Sequence, residues 1–293
     1  MATVTAANRS TMAYATLRVR RVVRLTPRMV RITLTCADPA ALADVGPDQY
    51  TKLFFPLPGQ ARPAVPPPVD DAVGGVMSWY QRYLAMPDEI RPPMRTYTIR
   101  AQRPALGELD IDFALHPDHA GPASDWASAA APGDEIGLLC PARALYSPQP
   151  DPAWQLLVGD ETAIPAIGAI VERLDAGVTV RAFIEVAGPQ DEQRFDTGAD
   201  VRIEWVHRGD RAHGEAVVET VCAAELPEGV PYAWISGEAT LVKLARRNLV
   251  RDRGIDQRAI TFTGYWRQGR NEEDNGREKV RRAVAGEPLV DED

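Results

Sequence analysis

Residues 95–98 read Arg-Thr-Tyr-Thr and run on into Ile99 and Arg100. Side chains alternate along a β-strand, so Arg95, Tyr97 and Ile99 share one face, and Thr96, Thr98 and Arg100 share the other. A cation, an aromatic ring and a hydroxyl on neighbouring strand positions can meet a phosphate, a flat ring and a ring nitrogen. One flavin nucleotide presents all three groups. Ordinary edge strands use the same residue types, so this run needs independent support from elsewhere in the chain.

Support comes from Gly121-Pro122-Ala123-Ser124, followed by Asp125-Trp126-Ala127. Small residues and a proline open a helix here. A first helical turn has free N–H groups and partial positive charge, which together hold a phosphate. Ser124 adds a hydroxyl donor. With Arg95 one strand earlier, the pair points to pyrophosphate. A third run, Leu157-Val158-Gly159-Asp160-Glu161-Thr162, takes a buried strand into a helix. Asp160 or Thr162 can cap that helix. Ligands of open α/β sheets bind outside the carboxyl ends of the strands, although no Gly-x-Gly-x-x-Gly fingerprint is present.

Near the C-terminus, Trp234-Ile-Ser-Gly-Glu-Ala239 again ends a strand and opens a helix. That helix is expected to bury Leu241, Leu244, Ala245 and Leu249, and to expose Lys243, Arg246, Arg247 and Arg251. Gly264-Tyr265-Trp266-Arg267 follows at another strand end, where an aromatic pair can line a pocket.

These runs must be positioned by a scaffold of two parts. The 293 residues suffice for about two domains, and 45% apolar with 25% charged residues is ordinary globular usage. Apolar alternation predicts strands over 14–24, 28–36, 50–55, 108–116 and 134–140, and hence an antiparallel barrel over 14–147. On 108–116, Leu109, Ile111, Phe113 and Leu115 form one face, and Glu108, Asp110, Asp112 and His116 the other. Residues 56–93 interrupt the pattern with nine of the chain's 25 prolines. They read as a long surface insert with a short helix near 78–85, either a lid or a structureless loop. Beyond Pro148, Pro150 and Pro152, strands and helices alternate. Strands are expected at 154–158, 178–187, 201–206, 231–236 and 260–266, and helices at 162–174, 214–224 and 239–251. That alternation predicts a parallel α/β domain over 153–285.

The net charge of -8 argues against nucleic acid as main partner but leaves room for a local basic pocket. Cys36, Cys140 and Cys222 are sparse and far apart, as in a reduced, cytoplasmic protein. His116 and His119 do not suit a metal site, and no metal is expected. No apolar run reaches the roughly 20 residues of a membrane span.

With these motifs in order, the chain resembles the siderophore-interacting protein family, flavin-containing ferric-siderophore reductases related to the ferredoxin reductases. The matching pieces are Arg95-Thr-Tyr-Thr98, Gly121-Pro-Ala-Ser124 with Trp126, Gly159-Asp-Glu-Thr162 and Gly264-Tyr-Trp-Arg267. The resemblance implies a ferredoxin-reductase-like fold, an FAD-binding barrel followed by an NAD(P)-binding α/β domain. It implies that Arg95 pairs with the FAD pyrophosphate, that Thr96 lies in the same strand contact, that Tyr97 packs on the isoalloxazine or ribityl chain, and that Thr98 donates toward flavin N5. Asp112, Phe113 and His116 would line the cofactor, and Gly121, Pro122, Ala123 and Ser124 would seat its phosphates. Asp160, Glu161 and Thr162 would face the nicotinamide. The expected reaction is reduction of a ferric siderophore, releasing Fe(II), with NADPH or NADH as donor and a reduced ferredoxin as an alternative. The candidates for meeting an anionic siderophore are Lys52, Lys243, Arg246, Arg247 and Arg267, Lys52 first; Arg246 or Arg247 could instead meet the extra phosphate of NADPH. A monomer is expected. The rivals are a flavin reductase serving another acceptor and a siderophore carrier without enzymatic activity.

Overall fold

Period-two alternation closes the first half of the chain on itself. The strands are β1 (Ala13–Thr26), β2 (Met29–Cys36), β3 (Tyr50–Phe54), β4 (Met94–Arg103), β5 (Glu108–Ala114) and β6 (Glu135–Cys140), and they join in the order β1-β2-β5-β4-β3-β6 as a closed antiparallel barrel. The computed structural model of this protein describes residues 13–37, 43–67, 75–115, 121–140 and 143–270, with 274, 277, 278, 281 and 282. Leu17, Ile32, Leu34, Leu53, Ile99, Leu109, Ile111 and Phe113 are fully buried inside the barrel. Each such side chain contributes roughly 1.5–3 kcal/mol by leaving water. His116 lies outside the described residues.

The polar face of β5 is also buried, and arginines make that tolerable. Arg103 holds Glu108 at 2.8 Å and Asp110 at 2.7 and 2.8 Å, while Arg31 holds Asp112 through two hydrogen bonds of 2.6 and 2.7 Å. Fork-shaped guanidinium contacts of this kind compensate the desolvation of a carboxylate.

The proline-rich insert is built onto the barrel. Its helix α1 spans Gly75–Leu84, starting three residues earlier than periodicity suggests. Trp79 and Tyr83 are buried against Phe54 and Met94 in a satellite core, with Trp79 and Tyr83 each edge-on to Phe54 at 5.6 and 5.7 Å. Tyr83 donates its hydroxyl to Pro92 O at 2.8 Å, and Trp79 donates Nε1–H to Pro66 O at 3.0 Å.

The second half holds β7 (Trp154–Gly159), β8 (Thr179–Val186), β9 (Asp200–His207), β10 (Pro231–Glu238) and β11 (Ile260–Trp266), in the order β11-β10-β7-β8-β9 and all parallel. Strand order reverses between β7 and β10. Between β5 and β6, α2 (Pro122–Ala129) packs on the barrel. Helix α3 (Ile164–Val171) packs between the sheet and β4, while α4 (Glu215–Ala223) and α5 (Ala239–Arg247) cover the opposite sheet face.

Two expectations for α5 need correction. It ends at Arg247, followed by one π-helical turn over Asn248–Asp252. Leu244 is 37% exposed, and Val242 takes the buried place beside Leu241 and Ala245. The helix turns a slightly different stripe inward than the leucine spacing suggests. The helix after β7 is likewise shorter than 162–174, because Asp160 to Ala163 form a capping turn that precedes it.

Candidate functional site

The two halves meet on the outer face of β4. Thr98 and Arg100 point that way, and both are buried. Between Ile99 and Ala101 the pairing with β5 slips, so Arg100 is the extra residue of a bulge. A bulge re-aims a side chain, and the Arg100 guanidinium leaves the barrel to donate to Glu172, just past α3, at 2.6 Å. Gly168 makes this approach possible, since a Cβ there would lie 3.1 Å from Arg100 Nη2 and 2.8 Å from the Phe195 ring. A second tie runs through Asp48, which accepts from Leu145 N, Tyr146 N and Trp234 Nε1 at 3.0, 2.9 and 3.1 Å.

Next to this seam the Tyr265 hydroxyl lies beside Thr98 of the barrel and Ser236 of the sheet. Burial holds the Tyr265 phenol protonated to well above its ordinary range, with the Asp48 charge adding to the effect. The last threonine of the Arg-Thr-Tyr-Thr run thus lies at the domain boundary, facing a tyrosine from β11. On the same outer face, Lys52 of β3 pairs in register with Thr96 and donates Nζ–H to its hydroxyl at 2.6 Å.

The other face of β4 leads into an aromatic cluster. Tyr97 lies 4.5 Å from Phe113, Phe113 lies 5.7 Å from Trp126, and Phe55 lies 5.5 Å from Trp126. These rings join β4 to α2. Arg95, partly buried, donates Nη1–H to Met94 O at 2.6 Å. At the start of α2 no side chain caps the helix, and a Cβ on Gly121 would meet open space among the described residues. Ala123 and Ser124 in that first turn are buried. Phe113 is fully buried in the barrel core, and both Asp112 oxygens are engaged by Arg31.

At the carboxyl edge of the sheet, Asp160 is fully buried. Its Oδ2 accepts from Glu238 N at 2.7 Å and Trp266 Nε1 at 2.9 Å, and its Oδ1 accepts from Thr162 N at 2.9 Å. Burial, reinforced by the Glu161 charge, pushes its carboxyl up to about 6, against the pull of these donors. Gly237, at φ 141°, leaves the room this needs, because a Cβ would sit 2.7 Å from Asp160 Oδ2. Glu161 and Glu185 share Arg208, whose Nη1 lies 3.1 Å from Glu161 Oε2 and 3.3 Å from Glu185 Oε1. His213 stacks edge-on to Trp266 at 4.9 Å, and burial together with Arg208 lowers its imidazole below the usual range.

The structure therefore brings Thr96, Thr98 and Lys52 to one face beside the seam, and gathers Asp160, Glu161 and Thr162 at the sheet edge. Lys243 and Arg247 are exposed on α5, on the sheet face away from the barrel, and Arg246 there lies over the Phe262 ring at 4.5 Å. Arg267 is exposed in the turn after β11. Arg208, Glu185, Glu172 and Asp48 complete the seam and the edge. No local motif marks them, because each acts on a residue far away in sequence.

The donor set fits a flavin nucleotide. An uncapped helix start and an arginine on β4 suit phosphates, aromatic rings join β4 to that helix, and a buried hydroxyl stands at the domain boundary.

Comparison with known proteins gives a consistent picture. The siderophore-interacting FAD-binding domain model matches residues 18–145, and the siderophore-interacting protein model matches residues 152–269. The NADPH-dependent ferric-chelate reductase of Escherichia coli is 31% identical over 88% of this chain and 94% of its own length. The ferric vibriobactin reductase ViuB of Vibrio cholerae is 29% identical over 84% of this chain and 86% of its own. A siderophore utilization protein from T. fusca superposes with a TM-score of 0.73 at 32% identity, covering 89% of this chain and 95% of that one. A ferredoxin NADP+ reductase from Neisseria gonorrhoeae, at 15% identity and a TM-score of 0.54, covers 87% of this chain and 99% of that one and shares the fold.

Proposed function

The chain belongs to the siderophore-interacting protein family, and from that premise we propose that it is an FAD-dependent reductase of ferric siderophores driven by NADPH or NADH. The observation that carries this reading is the position of Thr98. It is the last residue of the Arg-Thr-Tyr-Thr run, within β4, and is buried at the boundary of the two domains beside Tyr265 and Ser236. The named relatives from Escherichia coli and Vibrio cholerae are both ferric-chelate reductases, which supports the same direction.

Bound FAD would supply the redox chemistry, the conversion of a two-electron donor into single electrons for Fe(III). The chain's residues bind and orient. Arg95 and the first-turn N–H groups at Gly121 to Ser124 would hold the pyrophosphate, with Pro122 fixing the turn. Tyr97 would pack on the ring system or the ribityl chain, and Thr96 and Thr98 would border the flavin, Thr98 with its hydroxyl toward N5. Phe113 backs Tyr97, and Asp112 fixes Arg31 behind them. Asp160, Glu161 and Thr162 would border the donor.

Ferric siderophores are commonly anionic, so the acceptor needs cations beside the flavin. Lys52, which shares the outer barrel face with Thr96, and Arg267, exposed after β11, serve this role. A reduced ferredoxin is the alternative donor, and a cytoplasmic location and a monomeric state belong to the same proposal; among the described residues no helix is long and apolar enough to cross a membrane.

The test is anaerobic. Purified protein is mixed with NADH or NADPH and its flavin band followed, and then a ferric siderophore is added with an Fe(II) chelator. Bleaching by the donor, recovery on adding the siderophore, and captured Fe(II) are the expected results. A reduced flavin that does not transfer electrons to any ferric siderophore would contradict the reading.

A further inference from the structure

The register of β3 on β4 sets three residue pairs in a row: Tyr50 with Thr98, Lys52 with Thr96, and Phe54 with Met94. Alternation puts all three on the outer face of the barrel, while Leu53 and Phe55 point into its core. Both ends of the row are covered. Thr98 is buried beside Tyr265 of β11, and Phe54 and Met94 are fully buried under Trp79 and Tyr83 of α1. The middle pair, Lys52 and Thr96, is only half-buried. At about 3.3 Å per residue, Thr98 and Met94 stand roughly 13 Å apart along the strand. Lys52 and Thr96 therefore form the floor of a slot, with the α/β domain on one side and the proline-rich insert on the other.

The insert makes a rigid wall. Trp79 and Tyr83 donate to Pro66 O and Pro92 O at 3.0 and 2.8 Å, so its two buried rings are anchored to residues whose φ is fixed. Past α1 the buried Arg91 guanidinium donates to Leu84 O and Met86 O at 3.2 and 2.9 Å, satisfying carbonyls at the helix end, and it also pairs with Asp88. Asp88 in turn accepts from Arg277, beyond β11, at 2.9 Å. The chain that leaves the seam at β11 thus reaches the insert, and the two walls of the slot are tied to each other as well as to its floor.

We propose that the proline-rich insert is the far wall of the acceptor site, and that the Asp88–Arg277 pair is a clasp that sets how large a ferric chelate reaches Lys52. This rests on the reductase reading above and deepens it by assigning the residues that select the acceptor. A fixed wall selects by exclusion, rejecting what clashes. The clasp is exposed, at 46% for the Arg277 side chain and 70% for Asp88, so it is weak enough to yield to a single charge reversal.

The holoprotein and its Arg277→Glu and Arg277→Lys variants are compared anaerobically, with the flavin reduced by stoichiometric dithionite so that no nicotinamide is needed. Electron transfer is followed to ferric citrate, a compact chelate, and to a ferric tris-catecholate siderophore, a bulky one. In Arg277→Glu, whose carboxylate repels Asp88, the ratio of the tris-catecholate rate constant to the citrate rate constant should rise about two- to fivefold, with FAD content unchanged. Arg277→Lys keeps the pair and should match the wild type. The reversal adds negative charge, which by itself would slow both anionic chelates, so a selective gain for the larger one reads the opening of the slot. A ratio that does not rise, or an Arg277→Lys variant that behaves like Arg277→Glu, overturns the inference and leaves the reductase reading intact. A reduced wild-type flavin that passes electrons to neither chelate sinks that reading, and this inference with it.

Discussion

Trp234, in the middle of the parallel sheet, donates its indole N–H to Asp48, in the loop that enters the barrel's β3, at 3.1 Å. The same carboxylate caps the chain where it leaves the barrel, at Leu145 and Tyr146. One buried side chain thus ties the parallel sheet to the barrel's β3 loop and to the chain that leaves the barrel.

Asp48→Ala is therefore expected to leave one buried donor, Trp234 Nε1, and two partly buried backbone donors without this partner. A stranded buried donor costs about 1–3 kcal/mol, so a loss of at least about 1 kcal/mol in urea unfolding is predicted. Asp48→Asn, which keeps one acceptor oxygen, should lose less. Equal stability of Asp48→Ala and wild type would remove Asp48 from this role.

Arg95→Ala should weaken FAD retention. A charge-assisted hydrogen bond contributes about 1.5–3 kcal/mol, which corresponds to roughly a 10- to 100-fold rise in Kd. Equilibrium dialysis of the flavin checks this, and unchanged retention would remove Arg95 from the phosphate site.

Lys52→Glu should raise KM for an anionic ferric siderophore and leave FAD content unchanged, since Lys52 contacts Thr96 on the outer face and not the aromatic cluster. The effect should shrink as salt rises, because exposed charges are screened within about 8 Å at physiological ionic strength. Steady-state kinetics at two ionic strengths are the measurement.

Asp160 titrates near 6, above the ordinary carboxyl value of 3.8. Between these values the folded chain holds a proton that the unfolded chain has lost. Stability contributed by this group is therefore present below about pH 4, falls as pH rises toward 6, and is flat above that. Trp266→Phe removes one donor from Oδ2, so the Asp160 titration should move further up. Carboxyl-carbon NMR reads it directly, and a downward shift would contradict the assigned cause.

The strands and most helices were legible because apolar period and turn residues act locally, as in Leu109 to Phe113 and in Pro132-Gly133. The Arg-Thr-Tyr-Thr and Gly-Pro-Ala-Ser runs fall on β4 and at the start of α2, where the sequence places a strand and a helix start. Less was legible at the seam. Arg100 reaches Glu172 through a bulge and a glycine on another element, and Arg208 meets Glu161 only after three strands are laid side by side. Leu244 misled because a helix stripe shifted by one residue reads almost equally well from spacing alone. The insert's order depended on Trp79 and Tyr83 finding Phe54, a contact that composition could not reveal.

The central claim is that this chain binds one FAD, with Arg95 at its pyrophosphate. It is tested most directly by removing the flavin, identifying it by mass spectrometry, and titrating the stripped protein with FAD. The account predicts one FAD per chain, with binding weakened in Arg95→Ala. Purification without any flavin, together with no saturable FAD binding by the folded protein, would contradict it.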